Sequence, residues 1–338
     1  MLRVSATSPE PAVIAEAALV LARGGLVAFP TETVYGLGAR GLHDADVRRI
    51  FVAKERPIGH PLILHVDGAA MAATLTPSWP ERASRLAAAF WPGPLTLVVP
   101  RAPHVPDVVS GGLPSVGVRA PQHPVALALI RAASEPLAAP SANAHMHVSP
   151  TPAAHVVRSL GDRVDLVLDA GPCAHGIEST VLDLVTDPPR VLRAGAAPLE
   201  AIRSIVPEAV YDAITLTGDA ARASPGMAAK HYAPRTHVEL LASGDTFAGE
   251  VLAAARRPAR VGAIVWSEPA KRGLDTAAPG DVAFVARLPF DAAAYAHAIF
   301  AALHDADEAG LDALFIERVP DAPEWWAVAD RLRRAAKS

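Results

Sequence analysis

Short apolar runs, each the length of a strand, recur along the chain between segments whose apolar residues return every three or four positions. That alternation commits a chain to sheets covered by helices, because each period buries one face and needs the other element to cover it. Strands are predicted at LVAF (26–29), PLILHV (61–66), PLTLVV (94–99) and SVGVR (115–119). Helices are predicted near 9–23, 44–54, 81–90 and 124–133. A short strand LAAP, a helix after Pro150 and strands LVLD and STVLDL complete an α/β domain over 1–205. The pattern fades over 206–235, where RASPGMAAKHYAPRT carries two prolines, a glycine and little periodicity and reads as a linker. Alternation resumes with VELL, VGAIVW, VAFVARL and ALFIE, which gives a smaller α/β domain over 236–338. A length of 338 residues holds two such domains.

Composition narrows the classes of function. With 51% hydrophobic and 20% charged residues the chain buries substantial cores. Thirty-one Lys plus Arg against 35 Asp plus Glu leave a formal charge of -4, which argues against a polyanion binder that grips phosphate backbones by bulk charge. A single cysteine, Cys173, allows no intrachain disulfide and no multi-thiolate zinc site, and fits a reducing compartment. The N-terminal segment reads as an amphipathic helix interrupted by Glu16 and not as a signal peptide. No apolar run reaches the roughly 18 residues of a membrane span, so a cytoplasmic chain with no membrane partner is expected.

Several motifs invite readings that their context does not support. GLGARG at 36–41 matches G-x-G-x-x-G, but PTETVY separates it from its strand and no acid lies where a dinucleotide site needs one. Its glycines are expected to let a loop turn and a ligand approach the backbone. His145, His147 and His155 lack a carboxylate or cysteine cluster, so they read as pocket lining or solvated loop, and no protein-ligated metal is expected. HDAD at 43–46 and 304–307 is read as a helix start and as a surface turn. Cys173, close to His175, is read as a small loop residue.

The chemistry is expected instead from polar segments at strand ends, where open α/β sheets bind ligands. PTETVYGLG places Thr31, Glu32, Thr33 and Tyr35 after the first strand. Lys54 and Arg56 close a helix and precede His60 and two prolines, a spacing that suits a phosphate clamp. Further along come Ser115, Arg119, Ser141 and Asn143 in APSAN, Ser149, Glu178, Ser179, Thr180 and Arg193. Hydroxyls, amides and guanidiniums without paired catalytic carboxylates point to phosphoryl or nucleotidyl transfer, in which the protein mainly positions reactants and neutralises charge.

Nine segments in order carry a resemblance: GGLVAFPTETVYGLG, KERPIGHPLILHV, FWPGPLTLVVP, SVGVRAPQHP, APSAN, SPT, GPCAHGIESTVLDL, VLRAG and SPGMAAKHYAP. In these the chain resembles the long-form threonylcarbamoyl-AMP synthases. The resemblance implies a YrdC-like twisted open mixed sheet with helices, followed by a smaller Rossmann-like α/β domain. It implies a nucleotidyltransferase that joins L-threonine, bicarbonate or CO2, and ATP into threonylcarbamoyl-AMP and pyrophosphate. That product would pass to a downstream tRNA-modifying transferase for threonylcarbamoyladenosine formation beside the anticodon. By likeness Tyr35, His65, Arg119, Ala139 and Ser179 would surround threonine, with Arg119 on its carboxylate. Lys54, Arg56, His60, Ser115, Ser141, Asn143, Ser149 and Arg193 would line the nucleotide, with Lys54, Arg56 and Arg119 as catalytic groups. Thr31 and Thr33 would add pocket hydroxyls.

Mg2+ would accompany the triphosphate on phosphate oxygens and water with no protein ligand assigned, and Glu32 and Glu178 are the acids to inspect for that role. The linker 206–235, with Lys230, His231 and Tyr232, would act as a lid that brings Tyr232 against ATP. Two departures stand out. AHMHV replaces a Ser-Gly pair after APSAN, which predicts a differently shaped loop, and Ala194 replaces a proline, which predicts a looser backbone at Arg193. A non-catalytic RNA-binding or assembly module of the same fold is the alternative, disfavoured because RNA binding needs no amino-acid-sized pocket. A carbamoyl transferase acting on another acceptor would need a larger appended domain.

Overall fold

The structure is a computed structural model that describes residues 1–211, 231–256, 259–278 and 280–337. Most of the expected linker, 212–230 with Lys230, lies outside the described residues. The chain divides into two units, Met1–His145 with Ser149–Ala228 and Met146–Val148 with Ala229–Ser338.

The first unit contains β1 (Leu2–Arg3), β2 (Val27–Phe29), β3 (Gly36–Arg40), β4 (Ile63–His65), β5 (Leu95–Pro100) and β6 (Ser115–Arg119). It continues with β7 (Leu137–Ala138), β8 (Leu166–Asp169), β9 (Thr180–Asp183), β10 (Arg190–Arg193) and β11 (Val210–Tyr211). They form one mixed sheet in the order β1-β8-β2-β3-β7-β4-β6-β5-β9-β10-β11. β4 runs parallel to β6 with His65 in register with Arg119, and β5 runs antiparallel to β6 and parallel to β9. β2 and β4 are buried at every position, which is why both read as continuous apolar runs and not as alternations.

GLGARG is a strand and not the loop expected of it. β3 pairs antiparallel with β2, and a Cβ at Gly38 would stand 2.7 Å from the Phe29 ring. The glycine makes room for an aromatic side chain across a hairpin, and nothing in that geometry is a phosphate cradle.

The helix Asp44–Lys54 aims the site's cations. Asp44 and Asp46 lie in its first turn and Lys54 in its last, matching the helix dipole at both ends. Glu55 then takes a left-handed conformation, φ 53°, and turns the chain toward Arg56.

In the second unit β12 (His237–Leu241), β13 (Val261–Val265), β14 (Phe284–Arg287) and β15 (Ala313–Glu317) form a parallel sheet ordered β12-β15-β13-β14. The carboxyl ends of such strands ordinarily receive ligands. Here the buried Glu317 carboxylate accepts hydrogen bonds from the amides of Gly244, Trp266 and Ser267 at 3.2, 2.8 and 2.9 Å. The second HDAD is no surface turn: it lies in the helix Ala292–Glu308, where Asp307 accepts from the amides of Arg235 and Thr236. Among the described residues no helix is long and apolar enough to cross a membrane.

The loop that departs from the Ser-Gly pattern keeps a glycine-like backbone. Met146 sits at φ 70°, and its carbonyl accepts from Ala233 N at 2.9 Å within the second unit. A left-handed L-residue costs about 1–2 kcal/mol that glycine avoids, partly offset by the greater freedom glycine has when unfolded. Met146→Gly is therefore expected to stabilise the protein by about 0.5–1 kcal/mol. Urea unfolding at constant m-value checks this, and equal or lower stability refutes it.

Candidate active site

The segment between β2 and β3 is a turn built on its own hydroxyls. Thr31 Oγ1 donates to Val34 O at 2.6 Å, lies 2.8 Å from Thr33 Oγ1 and receives the amides of Thr33 and Val34. Thr31 thus spends its hydroxyl on the turn and does not stand free as a pocket donor. Tyr35 is likewise committed: its hydroxyl donates to Gly171 O at 2.8 Å and receives the amide of Ala170. Burial raises its pKa, with Cys173 adding to the effect.

What this turn delivers is Glu32. Its Oε1 lies 2.7 Å from Arg119 Nη2, and both side chains are about 95% buried. Opposite charges meet here off the donor axis, so neither Glu32 oxygen nor Arg119 Nη2 completes a hydrogen bond. Arg119 Nε donates to Gly93 O, which orients the guanidinium from behind. A buried carboxylate and guanidinium with unfilled bonding capacity cost free energy unless a ligand completes them. The sequence reading placed Glu32 among acids for a cation; its partner is Arg119.

His65 adjoins this pair. It is in register with Arg119, its ring meets Phe29 edge-on at 6.2 Å, and its buried Nδ1 has no hydrogen-bond partner. Burial, and then the Arg119 charge, push its pKa from 6.5 down to about 3, so it is a neutral imidazole at working pH. His123 caps the helix Pro124–Ala133 by accepting from Val125 N, and burial lowers its pKa against the opposing charge of Glu32. Neither Glu32 nor His123 was assigned to the amino-acid side from sequence, since only the folded turn brings the Glu32 carboxylate to Arg119.

A second cluster forms around β9. Ser179 Oγ lies 2.8 Å from Thr96 Oγ1, and Arg193 donates to Ser179 O from Nε and Nη2 at 3.2 and 2.9 Å. Beyond Ala194, a Cβ on Gly195 would stand 2.4 Å from Glu178 O, an approach only glycine permits. Ser149 Oγ donates to Glu178 Oε1 at 2.6 Å, both buried. The Gly93-Pro94 corner joins this cluster to the first, since Pro94 O accepts from Thr180 N.

A third cluster gathers cations. Lys54 Nζ donates to the carbonyls of Ser141, at 2.6 Å, and Asn143. Arg56 Nη2 donates to Pro61 O, and His60 meets His145 edge-on at 5.3 Å. Ala142 N donates to Tyr35 O and Tyr35 N to Pro150 O, which ties this cluster to the Glu32 turn. Ala139 is buried, its amide given to Ile63 O. Ser115 begins β6 and Arg119 ends it, so they stand apart by about 13 Å of strand. Tyr232, at φ 58°, is buried in the second unit against Phe300 and beneath the Arg331 guanidinium. Among the described residues no group of three or more His, Cys, Asp or Glu gathers that could hold a metal.

The neutral His65 has a consequence for stability. Unfolded, this histidine takes up a proton below about pH 6.5, whereas in the fold it resists protonation down to about 3. Its contribution is whole above pH 6.5 and is lost as pH falls toward 3, by about 1.4 kcal/mol per pH unit. Unfolding free energies of wild type and His65→Gln across that window should differ in slope by one proton. Parallel curves contradict it.

A family model described as "Telomere recombination" matches residues 19–195, and one described as "Threonylcarbamoyl-AMP synthase, C-terminal domain" matches 197–337. The chain is 40% identical to a threonylcarbamoyl-AMP synthase of Pyrococcus abyssi, over 95% of this chain and 93% of that one. It is 37% identical to one of Bacillus subtilis, over 96% and 92%. A crystal structure described as P. abyssi Sua5 complexed with L-threonine matches with a TM-score of 0.90 and 37% identity, covering 99% of this chain and 98% of that one.

Proposed function

The chain belongs to the threonylcarbamoyl-AMP synthase family, and from that premise we propose a nucleotidyl transfer in which a carbamate made from L-threonine captures the α-phosphorus of ATP. The observation that carries this reading is the buried Glu32–Arg119 pair with its unfilled bonding capacity beside neutral His65. A zwitterion completes such a pair: its carboxylate takes Arg119 Nη2 and its ammonium takes the Glu32 oxygens. The neutral Nδ1 of His65 is suited to the substrate's hydroxyl or amine, because it adds no charge to a site whose charges already balance.

The reaction then proceeds in two balanced steps. Threonine's ammonium loses one proton to become the nucleophilic amine, which adds to the carbon of CO2 and loses a second, both passing to solvent, to form a carbamate. A carbamate oxygen attacks the α-phosphorus, a P–O bond forms, and the bond to the departing pyrophosphate breaks. Arg56 and the Ser141 hydroxyl are proposed for the phosphates, where fixed donors would offset charge without reorganising, while Ser149 and Arg193 are proposed to shape the nucleotide side through Glu178 and Ser179. Mg2+ bound to the triphosphate would supply further charge neutralisation. Glu178 is the acid we propose for it, since Glu32 is paired with Arg119. Tyr232, within the linker 206–235, is proposed to meet ATP as part of a lid.

Pyrophosphate release by the purified chain is expected to require L-threonine and bicarbonate together; release that ignores threonine overturns the reading. Arg119→Ala should raise the threonine KM more than tenfold and leave the ATP KM within about threefold, by loss of a charge-assisted bond. Arg56→Ala should do the reverse. Steady-state kinetics with each substrate varied in turn decides between this division of the pocket and any other.

A further inference from the structure

Lys54 occupies a position that its charge alone does not explain. The residue is 2% exposed, so its amine is not presented to solvent or to the cleft. Two of its three possible donors go to backbone carbonyls two residues apart, those of Ser141 and Asn143. Its own carbonyl accepts from His145 N at 2.8 Å. One residue at a helix end thus grips 141–145 by three bonds. The same stretch is held from the far side by Ala142 N on Tyr35 O and by Ala144 N on Ser159 Oγ. Burial, followed by the nearby Arg56 and Arg163 charges, pushes the Lys54 amine well below its ordinary pKa, a cost that a freely pointing phosphate ligand would not incur.

We propose that Lys54 is a positioning residue: it locks the loop bearing Ser141 and Asn143 into the shape that receives the nucleotide, and it makes no phosphate contact. This rests on the reading of the pocket as an ATP site. It turns an expected phosphate clamp into a division of labour, with Arg56 left to meet the anion and Lys54 setting the loop. It also explains the spacing from sequence. A lysine two residues before an arginine, at the last turn of a helix, points inward while the arginine lies beyond the left-handed turn at Glu55.

Two measurements test this on the full chain. In wild type, acetic anhydride labelling read by mass spectrometry should find Lys54 protected without ligand, with ATP changing its rate less than twofold. Tenfold protection that appears only with ATP makes Lys54 a phosphate contact and overturns the proposal. In Lys54→Met, amide exchange of 140–145 without ligand should speed more than tenfold while exchange elsewhere holds. ATP affinity should fall about tenfold with threonine affinity within twofold, and the salt dependence of ATP binding should match wild type. Unchanged loop exchange, or a shallower salt dependence, also overturns it. Should Lys54→Met fail to fold, the wild-type labelling decides alone. Wild type that binds no ATP instead refutes the underlying reading of the site.

Discussion

The arrangement of the first unit depends on a pair of opposite charges buried together, Glu32 and Arg119. Either charge alone in that interior would be prohibitive, and together they are tolerable only if further bonds complete them. The surroundings follow from that requirement. The Thr31 hydroxyl shapes the turn that delivers Glu32, Gly93 O holds the back of Arg119, and β4 sets His65 level with Arg119. The uncharged imidazole and the buried Tyr35 avoid adding net charge where charge is expensive. The pair is left with hydrogen-bonding capacity, which is the basis on which an amino acid is proposed to complete it.

Beyond this pair the residues divide between contact and support. Thr31, Tyr35 and Lys54 looked from their types like groups facing a ligand, and each spends its polar atoms on backbone carbonyls or amides. Arg193 similarly clasps Ser179. Such bonds hold loops that have little regular structure and would otherwise fluctuate, and transfer chemistry is sensitive to displacements of that size. Many of the site's polar residues thus serve one another.

Much of the fold was legible because apolar periodicity reports burial directly. SVGVR, PLTLVV and ALFIE are strands almost as spaced, and the helix at 124–133 begins at a proline as its sequence implies. GLGARG misled because glycine permits turns and close packing alike, and only the Phe29 ring across the hairpin distinguishes them. The second HDAD misled because acids at a helix end and in a turn look alike without their partners, here the amides of Arg235 and Thr236. In the site, the cations and hydroxyls were visible by type and by family likeness, but their division into ligand-facing and loop-holding groups was not.

The sequence by itself determined the alternation that makes two α/β units, the end of a helix at Lys54, and the set of residue types available for anion chemistry. These are local properties, fixed by side-chain period and backbone sterics within a few positions. The tertiary structure alone decided that Glu32 meets Arg119 across 87 positions, that Lys54 grips Ser141 and Asn143, and that His65 is neutral. Charge balance, dehydration and hydrogen-bond partners depend on which distant segments share an interior, and chain order carries no record of that until the sheet has formed.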